Sequence, residues 1–187
     1  LPVITQVTVE TTGTLLVGSD IAAALTSLDP YPIDVLGMNC ATGPDKMADH
    51  IRYLCNNTDR FISAIPNAGI PENIGGETVY PLQPDEMAET LNHFVEDFGV
   101  NIVGGCCGTT TEHLKKLVDT VGGKAPKSRE VNWEPAVSSL YQSVNLDQDP
   151  KPLIVGERTN ANGSKKFKGL LEEEDWDGMV AMAKEQE

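Results

Sequence analysis

Along the first 121 residues of the chain, continuous apolar runs alternate with stretches in which apolar and polar positions follow a helical period. Short apolar runs at residues 3–9, 33–38, 61–65 and 101–103 are typical of buried strands. After each run, apolar residues recur at three- and four-residue spacing, which predicts a helix. The pattern therefore predicts four strand–helix units in succession.

Residues with known preferences for helix ends support the limits of these helices. Pro44 and Pro84 each stand where a first helical turn would begin, a position at which proline is favoured. Gly99 is suited to ending the third helix. Thr109 and Glu112 form a capping-box pattern, which predicts that the fourth helix begins there.

Four strand–helix units with short connections favour the α/β class, a parallel sheet covered by helices. Two architectures fit the pattern: half of a (β/α)8 TIM barrel, or an open doubly wound sheet. Periodicity alone does not separate them. Both place their chemistry where strands end and helices begin, so unusual residues at those positions are the first candidates for function.

Beyond the fourth helix the regular pattern ends. Residues 124–151 contain several prolines and no sustained period, which predicts a linker. An apolar run from Leu153, a polar loop and an acidic helix over about 172–184 then predict the first β-α unit of a second domain. We therefore expect one domain over residues 1–123 and the start of another over 152–187.

Composition narrows the possible partners and location. The formal net charge is -14, with 28 acidic against 14 basic residues, which argues against nucleic acid as a partner. No apolar run reaches the roughly 18 residues of a membrane span. The chain begins without methionine and without a signal sequence. We expect a cytoplasmic protein without a membrane partner, and either a processed chain or a piece of a longer one.

Three cysteines stand at the ends of predicted strands. Cys40 follows the second strand in GMNCATGP, and Cys106 and Cys107 follow the fourth in VGGCCGTTTEHL. The carboxyl ends of parallel strands meet at one edge, and glycines beside the pair permit a turn that aims both sulfurs at one ion. Three thiolates with an open fourth position are typical of catalytic zinc. Small core residues or a disulfide are the alternatives.

The other candidate ligands have simpler interpretations. Cys55 falls on the apolar face of the second helix, so we predict a core cysteine. His50, His93 and His113 lie on predicted helices away from the strand ends. We expect these histidines to be solvated or packed and not to bind metal.

The two cysteine segments, with AIPNAGIPE between them, resemble the zinc motifs of the homocysteine methyltransferase family. The resemblance implies a (β/α)8 barrel, of which residues 1 to about 122 would be the C-terminal half. It implies that Cys40, Cys106 and Cys107 bind zinc. It also makes the amide oxygen of Asn67 a possible fourth ligand when substrate is absent, although Asn-Ala-Gly is also an ordinary turn sequence.

The segment VGERTNANGSKKF resembles the start of the pterin-binding barrel in the cobalamin-dependent branch of that family. The resemblance implies that Glu157, with Asn160 close by, binds the pterin ring of methyltetrahydrofolate, since a carboxylate can accept two hydrogen bonds from it. It implies that homocysteine is methylated to methionine by methylcobalamin. That cofactor would be bound elsewhere in the full protein, on a cobalamin domain of the same chain, and remethylated by 5-methyltetrahydrofolate.

Two other functions remain open at this point. One is a homocysteine methyltransferase with a different methyl donor, and the other is a non-catalytic α/β module stapled by zinc or a disulfide. The 187 residues alone are expected to be inactive, because the family places most contacts to the homocysteine amino-acid group in the missing half of the barrel.

Overall fold

The computed structural model describes residues 1–153 and 158–185. The chain divides into two compact units, Leu1–Leu146 and Asp147–Glu187. None of the helices in the described ranges combines the length and apolar character that a bilayer crossing requires.

The first unit is built on a parallel sheet of four strands with helices in the connections, and the strands lie in the order Ile4–Val7, Val35–Asn39, Phe61–Ile65 and Ile102–Val103. The α/β class and the four predicted strand–helix units are confirmed. The elements are β1 (Ile4–Val7), α1 (Ile21–Leu28), β2 (Val35–Asn39), α2 (Pro44–Asn57), β3 (Phe61–Ile65), the hairpin β4 (Glu72–Ile74) and β5 (Glu77–Val79), α3 (Pro84–His93) continued by a π-helical segment (Phe94–Phe98), β6 (Ile102–Val103), α4 (Thr111–Val121), β7 (Ala136–Ser138) and β8 (Ser143–Asn145).

The core lies between one face of this sheet and the helices that cover it. Alternate strand residues point to this face, and each fully buried aliphatic side chain contributes about 1.5–3 kcal/mol of transfer free energy. Its buried members from strands and helices are Leu36, Met38, Ile62, Ala64, Met47, Ile51, Leu54, Met87, Leu91, Phe94 and Leu117.

The opposite face of the sheet is partly open. Phe61 remains 60% exposed there and Ile4, in the same register layer, 56%. One layer further along the strands, the Gln6 side chain donates a hydrogen bond to Ser63 Oγ at 2.9 Å across Gly37. A Cβ atom at Gly37 would lie 2.0 Å from that oxygen, so only glycine fits beneath the pair.

In the first unit, the helix ends lie where the sequence predicts them, with one exception. Pro44 and Pro84 lie in first helical turns, and Gly99 ends the third helical stretch at φ +81°. The capping box predicted for α4 is wrong by one residue, because the observed box pairs Thr110 with His113. Thr109 is still in the preceding loop, where its N–H donates to the carbonyl of Cys106.

Residues 124–146, which the sequence predicts to be part of a linker, belong to the first unit. They carry the antiparallel hairpin β7–β8, which lies against α1. The hydroxyl pairs Ser27–Ser138 and Thr26–Ser143 each join the hairpin to α1 at 2.8 Å. These contacts are polar and the strands have three residues each, so no hydrophobic period marks them.

The second unit contains two helices, α5 (Lys165–Glu172) and α6 (Trp176–Lys184). The single acidic helix predicted over 172–184 is wrong in its extent, because Glu174 adopts φ +54° and interrupts it. Asp175 then caps α6 by accepting a hydrogen bond from the Gly178 N–H at 2.9 Å. The strand predicted from Leu153 falls mainly on residues 154–157, which lie outside the described residues.

Candidate metal centre

The loops that follow β2, β3 and β6 meet at the carboxyl edge of the sheet. The N–H of Cys40 donates to the carbonyl of Ile65 at 3.1 Å, and the N–H of Cys106 donates to the carbonyl of Pro66 at 2.7 Å. The loop after β3 is therefore hydrogen-bonded to the cysteine loops on both sides. These backbone bonds hold Cys40, Cys106 and Cys107 at one place, as the parallel topology predicts.

The three sulfurs form a compact cluster of free thiols. Cys107 Sγ lies 3.9 Å from both Cys40 Sγ and Cys106 Sγ, and the latter two are 2.6 Å apart. A tetrahedral zinc ion with Zn–S bonds of about 2.3 Å holds its sulfurs roughly 3.8 Å apart. Two separations match, and the third pair must open by about 1 Å to admit the ion. Within the described residues, no other three His, Cys, Asp or Glu side chains form such a group.

The Cys40 loop has an unusual backbone. Cys40 and Ala41 adopt φ +59° and +53°, the left-handed region, which costs a non-glycine residue about 1–3 kcal/mol. Hydrogen bonds offset this cost: the Thr42 N–H donates to the Cys40 carbonyl at 2.7 Å, and the Asn67 N–H donates to the Thr42 carbonyl at 3.0 Å. The neighbouring loop thus stabilises the turn that carries Cys40.

Asn67 supports the other side of the cluster. Its side chain is buried, and its Oδ1 accepts a hydrogen bond from the N–H of Cys107 at 3.1 Å. The amide oxygen therefore positions the backbone of a candidate ligand. That this oxygen also binds the metal as a fourth ligand remains a prediction. A carbonyl oxygen has two lone pairs, so one is left to bind the ion.

The two closest thiols differ in acidity. The hydrogen bond with Cys106, followed by burial, raises the pKa of Cys40 to about 11. Burial opposes ionisation of Cys106 as well, but hydrogen bonds from Cys40 and Cys107 outweigh it and lower the pKa of Cys106. Cys106 is therefore the first of this pair to become a thiolate, the form that binds metals.

Tyr80 also belongs to this site, although no sequence motif marked it. It follows β5, and its ring lies on Gly108, the residue after Cys107. Loss of hydration and the neighbouring Cys107 thiol raise the pKa of Tyr80, so its hydroxyl is a protonated donor at neutral pH. The only sequence feature that points to this contact is the glycine at position 108, where φ is +73°.

The remaining cysteine and the histidines lie outside the cluster. Cys55 is buried in the core, where burial raises its pKa to about 11. His113 is buried and contacts Thr110 through Nδ1 and the Leu82 carbonyl through Nε2. Neither Cys55 nor any histidine joins the metal-ligating group found among the described residues.

The candidate pterin residues lie in the second unit. Asn160 shapes the loop before α5, since its side-chain oxygen accepts from the Asn162 N–H and its carbonyl accepts from the Ser164 N–H, both at 2.8 Å. Glu157 lies outside the described residues. Pterin binding by both residues remains a prediction.

The fold and the site define an α/β protein with a three-cysteine candidate metal centre at the carboxyl edge of its parallel sheet. Residues 1–121 match the homocysteine S-methyltransferase family. The chain belongs to that family, which confirms the resemblance seen in the cysteine motifs.

Relatives extend the match through both units. The methionine synthase of Mycobacterium tuberculosis (strain ATCC 25618 / H37Rv) is 47% identical over 186 residues, and that of Mycobacterium leprae (strain TN) is 47% identical over 191 residues. Each alignment covers 100% of this chain and 16% of the relative, so the chain spans about a sixth of their length. Among solved structures, the oxidized form of the homocysteine methyltransferase MmuM from Escherichia coli is 22% identical, with a TM-score of 0.44 over 59% of this chain and 32% of the other.

Proposed function

We propose that this chain is the zinc-binding part of a cobalamin-dependent methionine synthase, the enzyme that methylates homocysteine to methionine. The observation that carries the proposal is the cluster of free thiols on Cys40, Cys106 and Cys107 in a member of the homocysteine S-methyltransferase family. The whole-length match to methionine synthases, which continues through residues 122–187, favours this function over family members with another methyl donor.

The three thiols fit the chemistry of zinc. Bound there, Zn²⁺ would supply Lewis acidity that makes the homocysteine thiol a thiolate at neutral pH. Cys40, Cys106 and Cys107 would give the site a net negative charge and leave one tetrahedral position for substrate. The homocysteine sulfur would occupy that position as a nucleophilic thiolate, and methylcobalamin, held by another domain, would supply the methyl group that makes it methionine.

We propose that the parallel sheet is the C-terminal half of a (β/α)8 barrel. The open face of the sheet supports this architecture, because Ile4 and Phe61 are large apolar residues on strand positions that a closed barrel would turn inward. Four further units would cover this face and supply most contacts to the amino-acid group of homocysteine.

The second unit would begin the pterin-binding domain. Glu157 and Asn160 would lie at the 5-methyltetrahydrofolate that returns a methyl group to cobalamin, and cobalamin would bind to another domain of the full-length protein. A protein with these small-molecule partners is expected in the cytoplasm.

Zinc content and methyl transfer in the full-length protein test this proposal. Cys40→Ser, Cys106→Ser and Cys107→Ser should each lower bound zinc and abolish methylation of homocysteine by supplied methylcobalamin. Cys55→Ser is the matched control, since it removes a thiol from the core and not from the cluster. Loss of zinc in Cys55→Ser with zinc retained in Cys106→Ser would exclude the assigned ligands. Zinc binding without any methyl transfer by the unmodified protein would instead support a non-catalytic staple.

A further inference from the structure

The ring of Tyr80 is packed directly on the turn that follows the cysteine pair. A Cβ atom at Gly108 would lie 2.1 Å from Tyr80 Cγ and 2.4 Å from Tyr80 Cβ, so any side chain at position 108 would displace the ring. Gly108 also adopts φ +73°, which favours glycine independently. The position of the ring is therefore fixed by the backbone beside Cys107.

The cysteine next to this ring is the most exposed residue of the cluster. Cys107 is exposed, whereas Cys40 and Cys106 are half-buried. Loss of hydration raises the pKa of Tyr80 first, and Cys107 then raises it more than Cys40 or Cys106 does, so the Tyr80 hydroxyl lies on the Cys107 side of the cluster. Tyr80 thus brings a hydrogen-bond donor to the candidate ligand that has least protection from water.

We propose that Tyr80 is a positioning residue of the metal centre, which donates a hydrogen bond from its hydroxyl to the Cys107 thiolate when metal is bound. The inference rests on the proposed zinc site. Three thiolates on a divalent ion leave a net negative charge, and a donor at one sulfur offsets part of it. The bond would retain the most exposed ligand and make its sulfur a weaker electron donor to the metal.

The test uses full-length protein in which Tyr80→Phe removes the hydroxyl and keeps the ring. Zinc affinity, measured by competition with a chelator, should fall by about tenfold. In the Co²⁺-substituted protein, the thiolate-to-cobalt charge-transfer band should move to longer wavelength, because the freed sulfur gives up electron density more readily. A purely structural role of the ring would leave that band in place.

Tyr141→Phe is a matched control. The ring of Tyr141 also lies on a left-handed glycine, Gly18 at φ +97°, where a Cβ atom would be 3.2 Å from the ring. It packs beside α1 and not at the thiol cluster, so its loss of a hydroxyl should change neither zinc affinity nor the cobalt spectrum. If the unmodified protein, Tyr80→Phe and Tyr141→Phe have the same zinc affinity and the same cobalt spectrum, the inference is overturned.

A second variant covers the case in which Tyr80→Phe fails to fold. Incorporation of 3-fluorotyrosine at position 80 keeps the ring and strengthens the donor, so the charge-transfer band should move to shorter wavelength; an unchanged band would overturn the inference. If the unmodified protein binds no zinc, the proposed function fails. If it binds zinc and the Tyr80 variants match it, only the role of Tyr80 fails.

Discussion

The side-chain oxygen of Asn67 accepts a hydrogen bond from the backbone N–H of Cys107 at 3.1 Å, below the surface of the first unit. Asn67→Ala leaves that N–H without its acceptor, which should lower the free energy of unfolding by about 1–3 kcal/mol. Zinc affinity should fall with it, because the Cys107 loop loses its support. Urea unfolding and chelator competition measure the two effects.

Asn73→Ala provides the comparison for Asn67. Asn73 Oδ1 also accepts a backbone N–H, from Gly76 at 3.0 Å, but in the exposed β4–β5 hairpin. The stability change there should stay within about 0.5 kcal/mol, as for most surface substitutions. Equal losses of unfolding free energy in both variants would show that the contribution of Asn67 does not depend on its burial beside the cysteine loop.

Gly37→Ala should destabilise the first unit strongly. The added Cβ would lie 2.0 Å from Ser63 Oγ and 2.3 Å from the Ser63 carbonyl oxygen, and the backbone atom cannot rotate away. We expect a loss of more than about 2 kcal/mol in urea unfolding followed by circular dichroism. Gly169→Ala in α5 meets nothing within 4 Å and should stabilise its helix by up to about 1 kcal/mol. A neutral Gly37→Ala would show that β2 and β3 separate readily.

Alkylation of the metal-free protein should distinguish the cysteines by their acidity. The thiolate is the reactive form, so Cys106, with its lowered pKa, should react faster than Cys40, whose pKa is about 11. As the pH rises towards 11 the difference should shrink, because Cys40 then ionises as well. Cys55 should react only after unfolding, since it is buried. Mass-spectrometric mapping gives the order, and early labelling of Cys55 in folded protein would contradict it.

The 187-residue chain by itself should associate and should lack methyltransferase activity. Within the described residues its sheet ends in two edge strands, β1 and β6, each paired on one side only, and Ile4 and Phe61 are exposed on its partly open face. Both features promote pairing with other chains. Phe61→Glu on that face should reduce association in light scattering. Leu16→Glu should not, because Leu16 is 88% exposed in a loop away from the strands. A monomeric and active chain would contradict the proposed half-barrel.

Glu157→Gln should separate the two half-reactions of the full-length enzyme. Glu157 is expected to pair with the pterin ring, and an amide cannot replace a carboxylate that accepts two hydrogen bonds. Methyl transfer from 5-methyltetrahydrofolate to cobalamin should slow by about ten- to a hundredfold. Homocysteine methylation by supplied methylcobalamin should remain unchanged. Equal losses in both assays would count against a folate-specific role.

The sequence predicts the elements that are held together by apolar burial. The strand Phe61–Ile65 has its predicted limits, because its apolar run ends at a proline and begins after polar residues. The hydrophobic pattern does not predict the β4–β5 hairpin, even though Gly75 and Gly76, both at positive φ, provide a recognised two-residue turn signal. The break at Glu174 has no such signal, since neither glycine nor proline stands there.

At the site too, the sequence pattern predicts where the candidate ligands lie, whereas the contacts that support them depend on tertiary packing. Cys40, Cys106 and Cys107 are found together because parallel strands end at one edge, a rule that needs no side-chain detail. The family resemblance predicts Asn67 at the site, but its hydrogen bond to the Cys107 N–H depends on how two loops meet. Tyr80 reaches the cluster only because a hairpin returns to the edge of the sheet, and no local sequence period encodes that return.

The packing of the β7–β8 hairpin has a practical consequence for dividing the chain by genetic truncation. A cut after residue 123 would discard Arg129, whose guanidinium donates to the carbonyls of Thr58 and Arg60 at 3.2 and 2.5 Å. It would also remove the hydrogen-bond partners of the two α1 hydroxyls, those of Thr26 and Ser27. An expression boundary should therefore follow Leu146, so that the turn leading into β3 keeps the cation that satisfies its carbonyl oxygens.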